Sequence, residues 1–138
     1  MIDRVTRFGV SLPSRVVEKF DKIILDLEYP NRSKAINDAV LEFITQKNME
    51  AEQGKVIGSI SYIYNHHTGD VTHKLTELQH DYSKSIKSVM HSHISHDECV
   101  EVLIVSGKTQ KIKELFGKIS ATKGVENCKL AILIAKHT

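Results

Sequence analysis

The chain contains no tryptophan, only two prolines and only two cysteines in 138 residues. Cys99 and Cys128 alone cannot build a disulfide scaffold, and a reducing compartment suits a thiol that stays free to ligate. Long apolar runs are also missing. The strongest, Leu130-Ala-Ile-Leu-Ile-Ala135, falls far short of the roughly 20 residues a membrane helix needs. Met1 to Arg7 carries no apolar signal-peptide core. Neither sign of charge dominates, and a net +2 is too small to argue for nucleic acid by itself. Residues 1–54 carry eight Lys/Arg against nine Asp/Glu, so a basic face there must come from placement. There is no glycine-rich phosphate loop, no serine nucleophile elbow and no internal repeat. These absences together predict a soluble, cytoplasmic protein with no membrane partner. A hydrophobic content of 41% is enough to build a core in one ordinary domain or two small ones. Seven of the eight histidines fall between residues 66 and 96.

The polar segment Met49-Glu-Ala-Glu-Gln-Gly54 predicts a linker over 49–54 between a domain at 1–48 and another at 55–138. In the first, Phe8, Val10 and Leu12 alternate with Arg7, Gly9 and Ser11, the pattern of a strand. Pro13 suits a helix start. Val16, Val17, Phe20, Ile23, Ile24 and Leu27 then recur at helical spacing, up to the stop at Tyr29-Pro30. Asn31 can cap a second helix that buries Ala35, Ile36, Ala39, Val40, Phe43 and Ile44. A lone strand cannot satisfy its own backbone groups. Pairing with the same strand of a second chain about a two-fold axis would satisfy them, and a two-stranded ribbon fits the DNA major groove. Arg7, Gly9 and Ser11 would then face the bases, with Arg4 beside them. The helix start at Asn31-Arg32-Ser33 would offer backbone N–H groups to a phosphate. An αα-hairpin dimerisation module with a solvated arm is the plainer alternative.

The second domain reads as strand 55–64, helix 70–83, a hairpin of 85–95 with 97–106, helix 109–122 and strand 125–135. That βαββαβ order is the ferredoxin-like pattern, and the whole chain is therefore expected to be α+β. His91 and His93 share one face of a strand. A turn centred on His96 sets Cys99 across from His93 and Glu101 across from His91. Two same-face imidazoles and a cross-strand thiol make three legs of a transition-metal site. Glu101 is an acceptor suited to orienting His91, or else an exposed strand charge. Surface histidines around a buried cysteine remain the bland reading of the trio.

A fourth ligand would complete the set, from His66, His67, His73, His80 or His96. His80 ends its helix shortly before the strand that carries His91. The strand runs about 20 Å to His91, and backtracking along the helix recovers only about 5 Å. On that count His80 reaches the trio only from another chain. His66 and His67 read as polar-loop residues, His73 as a solvated helix residue, His96 as a turn residue, His137 as a tail and Cys128 as strand packing.

The arm Arg7-Phe-Gly-Val-Ser-Leu-Pro13 with Asn31-Arg-Ser33 resembles the ribbon-helix-helix (βαα) DNA-binding module. The spacing His80-x10-His91-x-His93-x5-Cys99, with Glu101, resembles the ACT-type metal-binding domain of the nickel-responsive repressor family, NikR. The resemblance covers essentially the whole chain. It implies a homotetramer, a dimer of dimers with ACT-type domains at the centre. It implies one Ni²⁺ per subunit, square-planar, on His91, His93 and Cys99 of one chain and His80 of a neighbour. It implies base contacts from positions 7, 9 and 11 and repression of nickel-uptake genes on a double-stranded DNA operator. Tyr64 and Glu101 match residues placed around the site in that family, and Gln79 is a further candidate. Two residues depart from the pattern: Gly9 stands where a hydroxyl residue is usual, and Lys34 where an acidic residue joins the match to Asp38 in holding a second cation. No catalytic residues are expected, because four protein ligands leave no open position and no general base is placed beside them. The alternatives are a metal-independent ribbon-helix-helix repressor, an amino-acid-sensing ACT regulator, or a zinc or copper sensor on the same ligands.

Overall fold

The computed structural model describes residues 3–51 and 54–136, and the chain divides into two compact units, Met1–Leu41 and Glu42–Thr138. Glu52 and Gln53 of the expected linker, and His137, lie outside the described residues. The division falls within the second helix, which runs on through Met49 and Glu50.

In the first unit, residues 3–13 form no regular structure, although alternation predicts a strand over 7–12. The physical reason is the one that makes a ribbon need two chains: a single copy offers this backbone no ladder partner. Helix α1 (Ser14–Asp26) follows Pro13, whose φ of −55° is already helical. Glu28, with φ of 59°, turns the chain away after the helix ends. Helix α2 (Arg32–Glu50) is capped by Asn31, whose Oδ1 accepts the Lys34 N–H at 2.9 Å. No residue of α1 is buried. Phe8 stays 76% exposed, and with Val10, Leu12, Val16, Val17, Phe20, Ile36 and Val40 it lines an open apolar groove of about 370 Å³.

The second unit holds β1 (Lys55–Asn65), α3 (Val71–Asp81), β2 (Ile86–His93), β3 (Glu98–Lys108), α4 (Thr109–Ala121) and β4 (Val125–Lys136). The strands form one antiparallel sheet in the order β2-β3-β1-β4. That is the expected ferredoxin-like arrangement. Strand β1 alternates buried and partly exposed residues along its length, as a strand covered on one face must. Val56, Ile60 and Tyr62 meet Leu103 and Val105 of β3, Val71 and Leu75 of α3, and Ile112, Leu115 and Ile119 of α4 in one core. Each of the larger aliphatics contributes about 1.5–3 kcal/mol by leaving water. Gly58 lies where β1 shifts register against β4, and a Cβ there would fall on the Ala131 carbonyl oxygen.

The sheet's other face carries exposed apolar side chains among the described residues. Ile57, Met90, Ile104 and Ile134 are all exposed, Met90 at 68%. Strand β2 is an edge strand without a fully buried residue.

Candidate metal centre

The turn between β2 and β3 fixes the site. The Glu98 carbonyl accepts the Ile94 and Ser95 N–H groups, and Ser95 Oγ accepts those of Asp97 and Glu98. The resulting register sets His93 opposite Cys99 and His91 opposite Glu101, as the sequence predicts. Directly opposed residues share a face. All four therefore lie on the helix side of the sheet, at its β2 edge.

Cys99 is 1% exposed and free of any disulfide. Its Sγ lies 3.2 Å from His93 Nδ1 and 3.4 Å from His66 Nδ1. The His91 and His93 rings are 5.1 Å apart between centroids, nearly perpendicular. Three imidazoles and one thiol thus gather at the sheet edge, and His66, His93 and Cys99 keep their ligand atoms within 4.8 Å of one another. A thiolate with imidazole nitrogens is a donor set that first-row ions such as Ni²⁺, Cu²⁺ and Zn²⁺ favour over Mg²⁺ or Ca²⁺. The residues present fit such an ion.

His66 reads from the sequence as a loop residue. It enters the cluster because β1 pairs Tyr64 with Cys99, so position 66, two residues on, returns to the same face. Burial, with the neighbouring His67 and His93, holds its imidazole below the ordinary histidine range, which favours the neutral, ligating form.

Behind His91 stands a buried carboxylate. Glu101 is 6% exposed. It accepts the Tyr62 hydroxyl at 3.0 Å, the Tyr64 hydroxyl at 3.1 Å and the Gln79 amide at 2.8 Å. His91 Nδ1 lies 3.5 Å from Glu101 Oε1 and 3.3 Å from the Tyr64 oxygen. Because Tyr64 gives its proton to Glu101, this surrounding favours a proton on His91 Nδ1 and leaves Nε2 free as a ligand. Burial, reinforced by the Glu101 charge, pushes both tyrosine hydroxyls far above the usual phenol range.

His80 is exposed in the last turn of α3, in a shallow surface pocket with His73, Thr76, Glu77 and Asp81. Gln79, one residue earlier, reaches Glu101, the register partner of His91. Successive helical residues point about 100° apart, so His80 leaves α3 in a different direction from Gln79.

Of the expected DNA-facing residues, Arg4, Arg7, Gly9 and Ser11 are exposed on the irregular segment, and Ser33 is exposed at the start of α2. Arg32 grips Asp21 through two hydrogen bonds of 2.8 and 2.5 Å, so its guanidinium already has a partner. Lys34 Nζ sits 2.6 Å from Asp38 Oδ1, and the Tyr29 hydroxyl donates to the other oxygen. An ammonium therefore occupies the carboxylate that the family pattern assigns to a second cation.

The chain is similar to proteins already known. The profile of the NikR C-terminal nickel-binding domain matches residues 57–133. A Methanocaldococcus jannaschii protein named "putative nickel-responsive regulator" is 42% identical over 93% of this chain and 92% of its own length. A Thermococcus onnurineus protein of the same name is 43% identical over 94% of each chain. An uncharacterized Thermotoga maritima protein of solved structure shares the fold, with a TM-score of 0.53 at 19% identity over 57% of this chain and 98% of that one. By its sequence relatives and its C-terminal domain, this chain belongs to the nickel-responsive regulator family, whose members are regulators and not enzymes.

Proposed function

We propose that the chain is a nickel-dependent repressor that binds operator DNA as a dimer of dimers. The single observation that carries the reading is the buried Cys99 thiol, 3.2 Å from His93 Nδ1 on an edge strand that also presents His91. His91, His93 and Cys99 of one chain, with His80 of a neighbour, would hold the ion, one per subunit. Bound nickel supplies a cross-link between chains that only the correct oligomer offers. Glu101, with Tyr62, Tyr64 and Gln79 around it, holds the His91 ring in place for that task.

Two further features support oligomerisation and DNA binding. The apolar groove of the first unit presents Phe8, Val10 and Leu12 to solvent, a pattern that marks a surface another body covers. A second N-terminal segment would pair with residues 7–12 as a ribbon and cover it, forming a ribbon-helix-helix unit that the end of α2 and the short segment 51–54 join to the nickel-binding domain. Arg7, Gly9 and Ser11 would then share the outer face with Arg4. Gly9 brings no side chain to a base edge, so Arg7 and Ser11 carry the direct readout. Arg32, tied to Asp21, serves the helix start more than a phosphate. The open sheet face around Ile57, Met90 and Ile104 offers a second contact, as a tetramer needs. Repression of nickel-uptake genes from the cytoplasm is the corresponding role.

A gel-shift titration with Ni²⁺, Zn²⁺ and EDTA on DNA from upstream of the chain's own gene tests this. Nickel should produce the shift and chelation should remove it. His93→Ala should lose it while remaining a folded oligomer, and Arg7→Ala should lose it while still binding nickel. A nickel-dependent shift retained by His93→Ala would overturn the reading. A second reading rests on His66, 3.4 Å from the thiol, which lets one chain offer three ligands to a tetrahedral Zn²⁺. Loss of the response in His66→Ala but not in His80→Ala would favour it.

A further inference from the structure

A second group of ligating side chains lies beside the first. His67 Nε2 is 3.2 Å from Asp97 Oδ1. His96 Nδ1 is 3.0 Å from the same oxygen. The three ligand atoms lie within 4.8 Å of one another. The two rings stack, with centroids 5.8 Å apart at 27°. The segments that carry them are tied together by backbone bonds. The His66 N–H donates to the Asp97 carbonyl at 3.1 Å, joining the end of β1 to the β2–β3 turn. The His67 N–H donates to Asn65 Oδ1 at 2.9 Å, and Ser95 Oγ holds the Asp97 N–H at 3.3 Å.

Simple ion pairing does not explain two imidazoles on one carboxylate oxygen. All three side chains are more than half exposed, and exposed pairs of this kind contribute little. Cis ligands around an ion with bonds of about 2.1 Å lie roughly 3.0–3.4 Å apart, for octahedral through tetrahedral geometry. Both nitrogen–oxygen separations fall in or near that range. We propose that His67, His96 and Asp97 form a second, solvent-exposed transition-metal site on each chain, with water completing the coordination. Two imidazole nitrogens and one carboxylate oxygen suit Zn²⁺, Ni²⁺, Co²⁺ or Cu²⁺ and do not suit Ca²⁺ or Mg²⁺, which take oxygen ligands. The site lacks a thiolate and a buried acceptor behind its ligands. It therefore binds more weakly than the Cys99 cluster and fills after it. The adjacent rings of His66 and His67, 4.1 Å apart, belong one to each group.

Equilibrium dialysis of the full-length protein against Ni²⁺, and separately against Zn²⁺, tests the proposal. Wild type should take up two ions per chain, the second at least tenfold more weakly than the first. The double variant His67→Ala/His96→Ala should take up one, with its nickel–thiolate absorption unchanged. Cys99→Ala should lose the absorption and keep the weak equivalent, and adding Asp97→Asn should weaken that remaining equivalent at least tenfold. Two equivalents retained by the double variant, or a weak equivalent indifferent to Asp97→Asn, would overturn it. Because absorption reports the Cys99 cluster and dialysis counts both, failure of this site is distinguishable from failure of the first.

Discussion

Replacing Glu101 by alanine is expected to destabilise the fold and to loosen the metal centre, by amounts that the surrounding bonds set. The carboxylate accepts from Tyr62, Tyr64 and Gln79 at 3.0, 3.1 and 2.8 Å. Tyr62 is 1% exposed and Tyr64 3% exposed, so neither hydroxyl can turn to water when the acceptor goes. Gln79 is half-buried and can. Stranding a buried donor costs about 1–3 kcal/mol; Tyr62 is stranded outright, and Tyr64 keeps only His91 Nδ1, 3.3 Å away, as an acceptor. Removing the buried charge returns part of its own desolvation cost. The net loss should be about 3 kcal/mol, read as a lower guanidinium midpoint with unchanged slope. Glu101→Gln keeps the volume and one acceptor oxygen and should lose about half as much. The second consequence concerns His91, whose ring loses the partner 3.5 Å from Nδ1. Removing such a partner lowers metal affinity by about 10–100-fold. Calorimetry with Ni²⁺ reads this separately from stability. A Glu101→Ala protein within about 1 kcal/mol of wild type, with unchanged nickel affinity, would refute the reasoning on both counts.

Two other perturbations test the fold around the site. Gly58→Ala would drive a Cβ into the Ala131 carbonyl where β1 and β4 approach, so β1 or β4 must move. The expected loss exceeds about 3 kcal/mol, larger than a typical single substitution, and a near-neutral melting temperature would contradict the close approach. The raised phenols of Tyr62 and Tyr64 make stability fall in alkali. Above pH about 10 the unfolded tyrosines release protons that the folded ones keep, which favours unfolding by about 1.4 kcal/mol per tyrosine per pH unit. Tyr62→Phe should roughly halve the decline that these two tyrosines cause, as denaturant midpoints between pH 9 and 11 would reveal.

The second unit was legible because its residues obey simple periods. Val56, Ile60, Tyr62 and Tyr64 alternate along β1, and Ile112, Leu115 and Ile119 repeat at helical spacing along α4. The His93–Cys99 pairing was legible because the turn between them is short enough to fix the register locally. His66 is legible only as one of five candidate ligands, since it joins Cys99 across 33 residues of sequence. Continuing the β1 alternation two residues past Tyr64 would have found it. The reach of His80 depends on how α3 packs on the sheet, which chain lengths along α3 and β2 do not carry. Gln79 shows how close α3 passes to the site. Residues 7–12 form no strand in the single chain, where their alternation finds no second backbone to pair with.

The claim that the ligand set spans two chains is tested most directly by mixing two variants that each break it. His80→Ala and Cys99→Ala proteins should each lack the nickel–thiolate absorption of wild type. Refolded together, they form oligomers in which a Cys99→Ala chain lends His80 to the intact trio of a His80→Ala chain. Random pairing across a two-fold interface should restore about a quarter of the wild-type absorption. No recovery on mixing, or full absorption in His80→Ala alone, would contradict a site shared between subunits.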